Sequence, residues 1–112
     1  MKKIALPVEG NILSPHFDHC QYFKIYNVEN QLVSNEELIK APVHKLTLLP
    51  YWLADHNVTD VITDVIRHKT IEILNQYKIN VFVGVRIKDP NELVKNYLEG
   101  TLETNGNLFD HK

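Results

Sequence analysis

The stretch VTDVITDVIRHKTIEILNQYKINVFVGV, residues 58–85, determines the fold class that this sequence predicts. Residues 58–65 and 79–85 are short apolar runs rich in β-branched side chains, which are typical of buried strands. Between them Ile71, Leu74 and Tyr77 recur at three-residue steps and predict a helix. Strand, helix and strand at this spacing predict a parallel βαβ unit.

The rest of the chain extends this unit on both sides. Residues 3–8 predict a strand, residues 9–20 a loop, and residues 22–39 an antiparallel hairpin. Helices are predicted over residues 46–56 and 90–99, the second with Asp89 as N-cap, Pro90 at its first position and Gly100 as its stop. We therefore expect a single α/β domain over residues 1–112, with helices packed on a mixed sheet of about five strands.

The composition excludes several classes of protein. Hydrophobic residues make up 44% and charged residues 23% of the 112, as in ordinary globular proteins. The only cysteine cannot form an internal disulfide, and no apolar run has membrane-spanning length, so we expect a cytoplasmic protein. The 12 Lys and Arg residues are scattered and the net charge is -2, which argues against nucleic-acid binding. None of the four glycines opens a helix after a strand, which argues against a nucleotide cradle.

The sequence HFDHC, residues 16–20, is the segment richest in side chains that can bind a metal or transfer a proton. His16, His19 and Cys20 offer two imidazoles and a thiol, which suit transition metals, although a polar loop could have the same composition. Phe17 between the histidines is predicted to anchor the loop in the core. Sites in such sheets lie beyond the carboxyl ends of the parallel strands, which here means residues 9–20 and 64–69. His44 and His111 are the histidines that could complete a metal site with this loop.

Other kinds of chemistry have weaker support. Ser14, His16 and Asp18 contain the residue types of a catalytic triad, but three alternating loop neighbours rarely align as one. Asp60 and Asp64 bracket one strand without the carboxylate partners that a two-metal nuclease needs. Residues 67–69, Arg-His-Lys, begin the second helix and either attract an anion or form an exposed basic cluster. With no complete catalytic set visible, we do not expect an enzyme.

Four segments resemble the dinitrogenase iron-molybdenum cofactor family, which includes NifX, NafY, the C-terminal part of NifB and the orange protein. They are SPHFDHCQYF, PVHKLTLLPYWLADHNV, VFVGV and DPNELVKNYLEGTLETNGNLFDH, and the similarity runs nearly end to end. The resemblance implies a ribonuclease H-like fold and a NifX-like, non-catalytic role in binding or carrying a metal or an iron-molybdenum or iron-sulfur type cluster. It also implies cluster-assembly or acceptor proteins as partners, and a homodimer as one of the oligomeric states left open.

Carried over by position, the resemblance assigns site residues. His16, Phe17, His19 and Cys20 match a HFGHC segment of the family, His44 matches a second-loop histidine, and Asp110 and His111 match the tail motif.

The chain also departs from the family pattern at several positions. Asp18 stands where the family has Gly. Ser14 stands where a small stand-alone subgroup, the form that this chain most resembles, often has Cys, and Phe109 stands where the tail motif has Cys. Residues 64–67 lack the glycines that usually follow the central strand. The lost thiols and glycines remove soft ligands and space for a bulky cofactor. They motivate a second hypothesis, in which a degenerate family member acts as a protein-interaction module.

Overall fold

The structure is a computed structural model that describes residues 1–42, 48–86 and 88–104. The strands in this part are β1 (Lys2–Glu9), β2 (Ile12–Leu13), β3 (Tyr22–Glu29), β4 (Leu32–Lys40), β5 (Asp60–Ile62) and β6 (Asn80–Phe82). The helices are α1 (Leu49–Asp55), α2 (His68–Gln76) and α3 (Pro90–Glu99), and Phe17–His19 form one 3₁₀ turn. None of the helices in these ranges has the length and apolarity that a membrane crossing requires.

All six strands belong to one mixed sheet in the order β4-β3-β1-β5-β6, with β2 paired to β1. β1 is antiparallel to β3, with Ala5 opposite Ile25, and parallel to β5, with Ala5 opposite Val61. β3 and β4 form an antiparallel hairpin, and β5 and β6 are parallel. The predicted α/β class is confirmed, as is the order in which an antiparallel hairpin precedes a parallel βαβ unit.

Two boundary predictions were wrong. Residues 9–20 are not entirely loop, because Ile12 and Leu13 fold back as β2 against the end of β1 and add a sixth strand. The strands predicted over 58–65 and 79–85 pair for only three residues each. Regular pairing ends at Ile62, although Thr63 N still donates to Phe82 O and Gly84 N donates to Asp64 O, and Val65 pairs with His16 of the first loop. β6 ends before Gly84, whose φ of 73° departs from extended backbone.

Helices cover both faces of the sheet. Each face of the sheet has its own hydrophobic core. Because neighbouring strand residues point to opposite faces, Ala5 of β1 lies in the first core and Ile4 and Leu6 lie in the second. The first core includes Leu53 from α1 and Leu74 from α2, whereas the second is closed by α3 through several apolar side chains. Those side chains are Leu93, Val94, Tyr97 and Leu98.

The helix ends differ in how they are capped. α3 has the predicted boundaries, since the Asp89 carboxylate accepts a hydrogen bond from Asn91 N and Gly100 ends the helix with φ of 76°. α2 has Arg67 at its N-cap position, and the Arg67 side chain makes no capping hydrogen bond. The amide groups at the start of α2 therefore need a partner from elsewhere in the chain.

Candidate functional site

The two segments predicted to form the site meet at the carboxyl edge of the parallel strands. His16 and Val65 form a parallel β-bridge, and Phe17 N donates a hydrogen bond to Val65 O at 3.1 Å. Residues 16–19 and 65–67 line a pocket of about 150 Å³ at this junction. The prediction that residues 9–20 and 64–69 lie together is confirmed.

Phe17 fixes the position of the first loop. Its side chain is fully buried, and its ring lies edge-on to that of Phe23, with 5.2 Å between the centroids. Phe23 in turn packs against Trp52 of α1 at 5.8 Å. The predicted anchoring role is confirmed, and it leaves His16 and His19, on either side of the anchor, exposed at the pocket.

Asp18 is buried and binds the start of α2. The Thr70 hydroxyl donates to Asp18 Oδ1 at 2.7 Å, and Arg67 N donates to Oδ2 at 3.0 Å. The Arg67 Nε lies 3.8 Å from Oδ1. A negative group at a helix N-terminus is stabilised by the unpaired amides and by the helix dipole. Asp18 therefore acts as the cap that α2 does not supply from its own sequence.

This contact identifies the anion that binds the basic start of α2. The sequence predicted that residues 67–69 either attract an anion or form an exposed basic cluster, and the carboxylate found there belongs to Asp18. His68 Nε2 also lies 3.2 Å from Glu72 within α2. Sequence reasoning missed the link between Asp18 and Thr70. The absence of a capping residue at position 67 was the signal that could have suggested it.

Cys20 points into the core. Its side chain is 8% exposed, and the thiol Sγ donates to Tyr22 O at 2.8 Å and lies 3.3 Å from Val8 O. Burial raises the pKa of the Cys20 thiol above its ordinary value, although these hydrogen bonds act in the opposite direction. The thiolate is the form that binds metals. Cys20 is thus held protonated at neutral pH.

Ser14 braces the loop from inside. Its buried hydroxyl accepts a hydrogen bond from His16 N at 3.3 Å and also lies against the Cys20 thiol. The hydroxyl hydrogen-bonds to the backbone of His16, and Asp18 hydrogen-bonds to α2. The three residues therefore do not adopt the relay of a catalytic triad.

The remaining candidate ligands were predicted in the second loop and in the C-terminal tail. His44, Asp110 and His111 lie outside the described residues, so their predicted roles stay predictions. Within the described ranges, no three His, Cys, Asp or Glu side chains are grouped so that they could hold a metal ion.

Asp60 at the start of β5 and Asp64 two residues beyond its end make separate structural contacts. Asp60 accepts hydrogen bonds from Thr59 and Asn80, and Asp64 pairs with Lys88 at 3.1 Å. Neither aspartate has a second carboxylate among these contacts, as a two-metal site would need.

Comparison with known proteins identifies the family. The family described as "Dinitrogenase iron-molybdenum cofactor" matches residues 1–100. This chain therefore belongs to the dinitrogenase iron-molybdenum cofactor family. An uncharacterized protein of Methanocaldococcus jannaschii, MJ0580, is 33% identical over 108 residues, which are 92% of this chain and 91% of that protein.

Solved structures share the fold over nearly the whole chain. The crystal structure of PH0822 has a TM-score of 0.87 and 28% identity, and the match covers 95% of this chain and 96% of that one. The apo form of the orange protein from Desulfovibrio gigas has a TM-score of 0.80 and 17% identity over 95% and 94% of the two chains. At that identity the second match establishes a similar fold only.

Proposed function

We propose that this chain binds a metal ion or an iron-molybdenum or iron-sulfur type cluster as cargo and carries it without catalysing a reaction. The main support is the placement of His16 and His19, exposed on either side of buried Phe17 at the pocket between the ends of β1 and β5. Imidazole is a good ligand for several transition metals. Family membership supports the same class of cargo.

The proposed ligands differ in how accessible they are to a metal. His16 and His19 are accessible, whereas Cys20 can become a ligand only if its Sγ leaves the carbonyl groups of Val8 and Tyr22. Binding through Cys20 would release the thiol proton, which makes affinity depend on pH. His44 and His111 are the further ligands that we propose.

The size of the pocket favours a small cargo. Its volume of about 150 Å³ is below the range of roughly 300 to 1,000 Å³ that small-molecule sites occupy. A metal ion or a small cluster held at the pocket mouth suits this volume better than an organic cofactor does.

The wider proposal follows the family. We place the chain among ribonuclease H-like folds, because its sheet, leaving out the short β2, consists of the antiparallel hairpin β3–β4 beside the three parallel strands β1, β5 and β6. We propose a cytoplasmic carrier whose partners are cluster-assembly or acceptor proteins.

Metal loading tests the proposal. Protein without a histidine tag would be incubated anaerobically with iron, sulfide and molybdate, desalted, and measured by elemental analysis and visible absorption. The double variant His16→Ala/His19→Ala should lose the bound metal. His56→Ala is the matched control, because His56 lies between α1 and the amino end of β5, does not line the pocket, and its Nδ1 contacts Trp52 O at 2.9 Å. Sub-stoichiometric metal in the unmodified protein would contradict the proposal.

A second function, that of a protein-interaction module without cargo, is favoured by Asp18 and Cys20. Both side chains are buried and already hydrogen-bonded within the chain. The variant Ser14→Cys/Asp18→Gly introduces the residues that the family resemblance places there. Metal binding by this variant alone would support the second function, and binding by the unmodified protein would exclude it. Circular dichroism must accompany the measurement, since the Asp18 change also uncaps α2.

A further inference from the structure

The edge strand β4 is long and accessible. It is the outermost strand on the hairpin side of the sheet and runs for nine residues, whereas β6 on the other edge has three. Leu32 is 71% and Leu38 63% exposed, and no proline interrupts the strand. An edge of this kind offers unpaired backbone groups to another strand.

The hairpin register shows which residues carry those groups. Ala41 N donates to Gln21 O at 2.8 Å, and Tyr22 pairs with Lys40. The N–H and C=O groups of successive residues in a strand point to opposite sides. Residues 37 and 39, like Ala41, therefore direct theirs toward β3. Glu36, Leu38 and Lys40 therefore direct theirs outward. The irregularity near Asn27 and Val28 lies beyond this stretch.

We propose that β4 pairs antiparallel with β4 of a second copy of this chain, with the two-fold axis at Leu38. This register places Leu38 opposite Leu38 of the second copy. It also forms two pairs in which Glu36 of one copy faces Lys40 of the other. Three hydrogen-bonded pairs then form, with about six backbone hydrogen bonds between them. Opposite charges that face each other across strands stabilise the pairing.

The charges select this register over its neighbours. Centring the axis on Glu36 or on Glu37 places two like carboxylates directly opposite each other, which is destabilising. Centring it on Ile39 places Glu36 opposite Pro42, and proline has no N–H to donate to the ladder. In the Leu38 register no like charges face each other among residues 36–40, and Pro42 faces Ser34, outside the three pairs.

Glu36 also has a cationic partner within its own chain, since Lys24 Nζ lies 3.1 Å from Glu36 Oε1. Lys40 of the second copy would approach the same carboxylate, which can accept from more than one donor. A contact formed by three pairs of residues is small, so the dimer should be weak and dependent on concentration and salt.

Sedimentation equilibrium over a wide range of protein concentration, with EDTA present to exclude metal-bridged dimers, tests the proposal. Glu36→Lys should weaken the dimer at least about tenfold, because it places like charges opposite each other twice. The double variant Glu36→Lys/Lys40→Glu should restore it. Glu37→Lys is the matched control, with the same change in net charge but Ile39 opposite it.

Cross-linking tests the register independently. Residues of a hydrogen-bonded antiparallel pair have Cα atoms about 5.5 Å apart, which a disulfide can span. Mild oxidation of the Leu38→Cys variant should yield a covalent dimer, while Glu37→Cys should not. A chain that is monomeric at every concentration, or a dimer unaffected by Glu36→Lys, would overturn the proposal, and the edge would then be open to a strand from another protein.

Discussion

The Asp18 carboxylate accepts a hydrogen bond from the Thr70 hydroxyl at 2.7 Å, although the two residues are 52 positions apart. With the bond from Arg67 N, this contact joins the loop after β1 to the first turn of α2. The segment that carries the candidate ligands is thereby attached to the helix that follows β5. The stability of α2 and the geometry of the candidate site depend on the same carboxylate.

Removing this carboxylate should destabilise the protein. We expect Asp18→Ala to lower the free energy of unfolding by about 2–3 kcal/mol, because it removes charge-assisted hydrogen bonds at a buried helix terminus. Urea denaturation measures the loss. A double-mutant cycle with Thr70→Val should show a coupling of about 1 kcal/mol. Thr101→Ala, at an exposed threonine, serves as the control that should be additive with Asp18→Ala.

The Cys20 thiol should make stability depend on alkaline pH. Burial raises its pKa above 9.0, so the native chain keeps a proton that the unfolded chain loses. The native state then binds more protons than the unfolded state, and stability falls as pH rises beyond 9.0. In metal-free protein, the free energy of unfolding should decrease more steeply over this range than in Cys20→Ser. Parallel curves for the two proteins would show that the thiol is not held protonated.

Thr63→Val should stabilise the protein. The Thr63 side chain is fully buried at the end of β5, and its Oγ1 has no hydrogen-bond partner among the described residues. Replacing an unsatisfied hydroxyl by a methyl group of similar size should raise the free energy of unfolding by about 1 kcal/mol. Thr70→Val is the contrasting variant, because that hydroxyl is bonded to Asp18. A loss of stability in both variants would indicate that Thr63 has a partner outside the described residues.

Phe17→Ala should destabilise the core and release the loop. Truncating a fully buried phenylalanine removes contacts and leaves a cavity, which costs about 3–5 kcal/mol. Thermal unfolding measures the loss, and Phe17→Leu should recover most of it. His19→Ala, at the exposed neighbour, should leave the unfolding midpoint unchanged. A small effect of Phe17→Ala would mean that the loop is held chiefly by Asp18.

Much of the fold was predictable because its signals are local. Asp89, Pro90 and Gly100 mark the ends of α3 through backbone chemistry that acts within a few residues. Strand lengths were harder to predict, because Thr63 and Val65 are β-branched like the residues of β5, yet regular strand pairing ends at Ile62 and Val65 pairs with His16 of the first loop. The segment with which a strand pairs is determined by contacts with residues that are distant in the sequence.

The candidate site was likewise predictable only in part. The sequence alone identified the segment that carries the exposed histidines, the buried role of Phe17 and the meeting of the two loops, since these follow from residue type and strand direction. It could not show that Asp18 caps a distant helix or that Cys20 faces two carbonyl groups. Those outcomes depend on where side chains point once the sheet has formed. Tertiary packing, which creates contacts between residues far apart in the chain, determined which of the chemically capable side chains remain accessible.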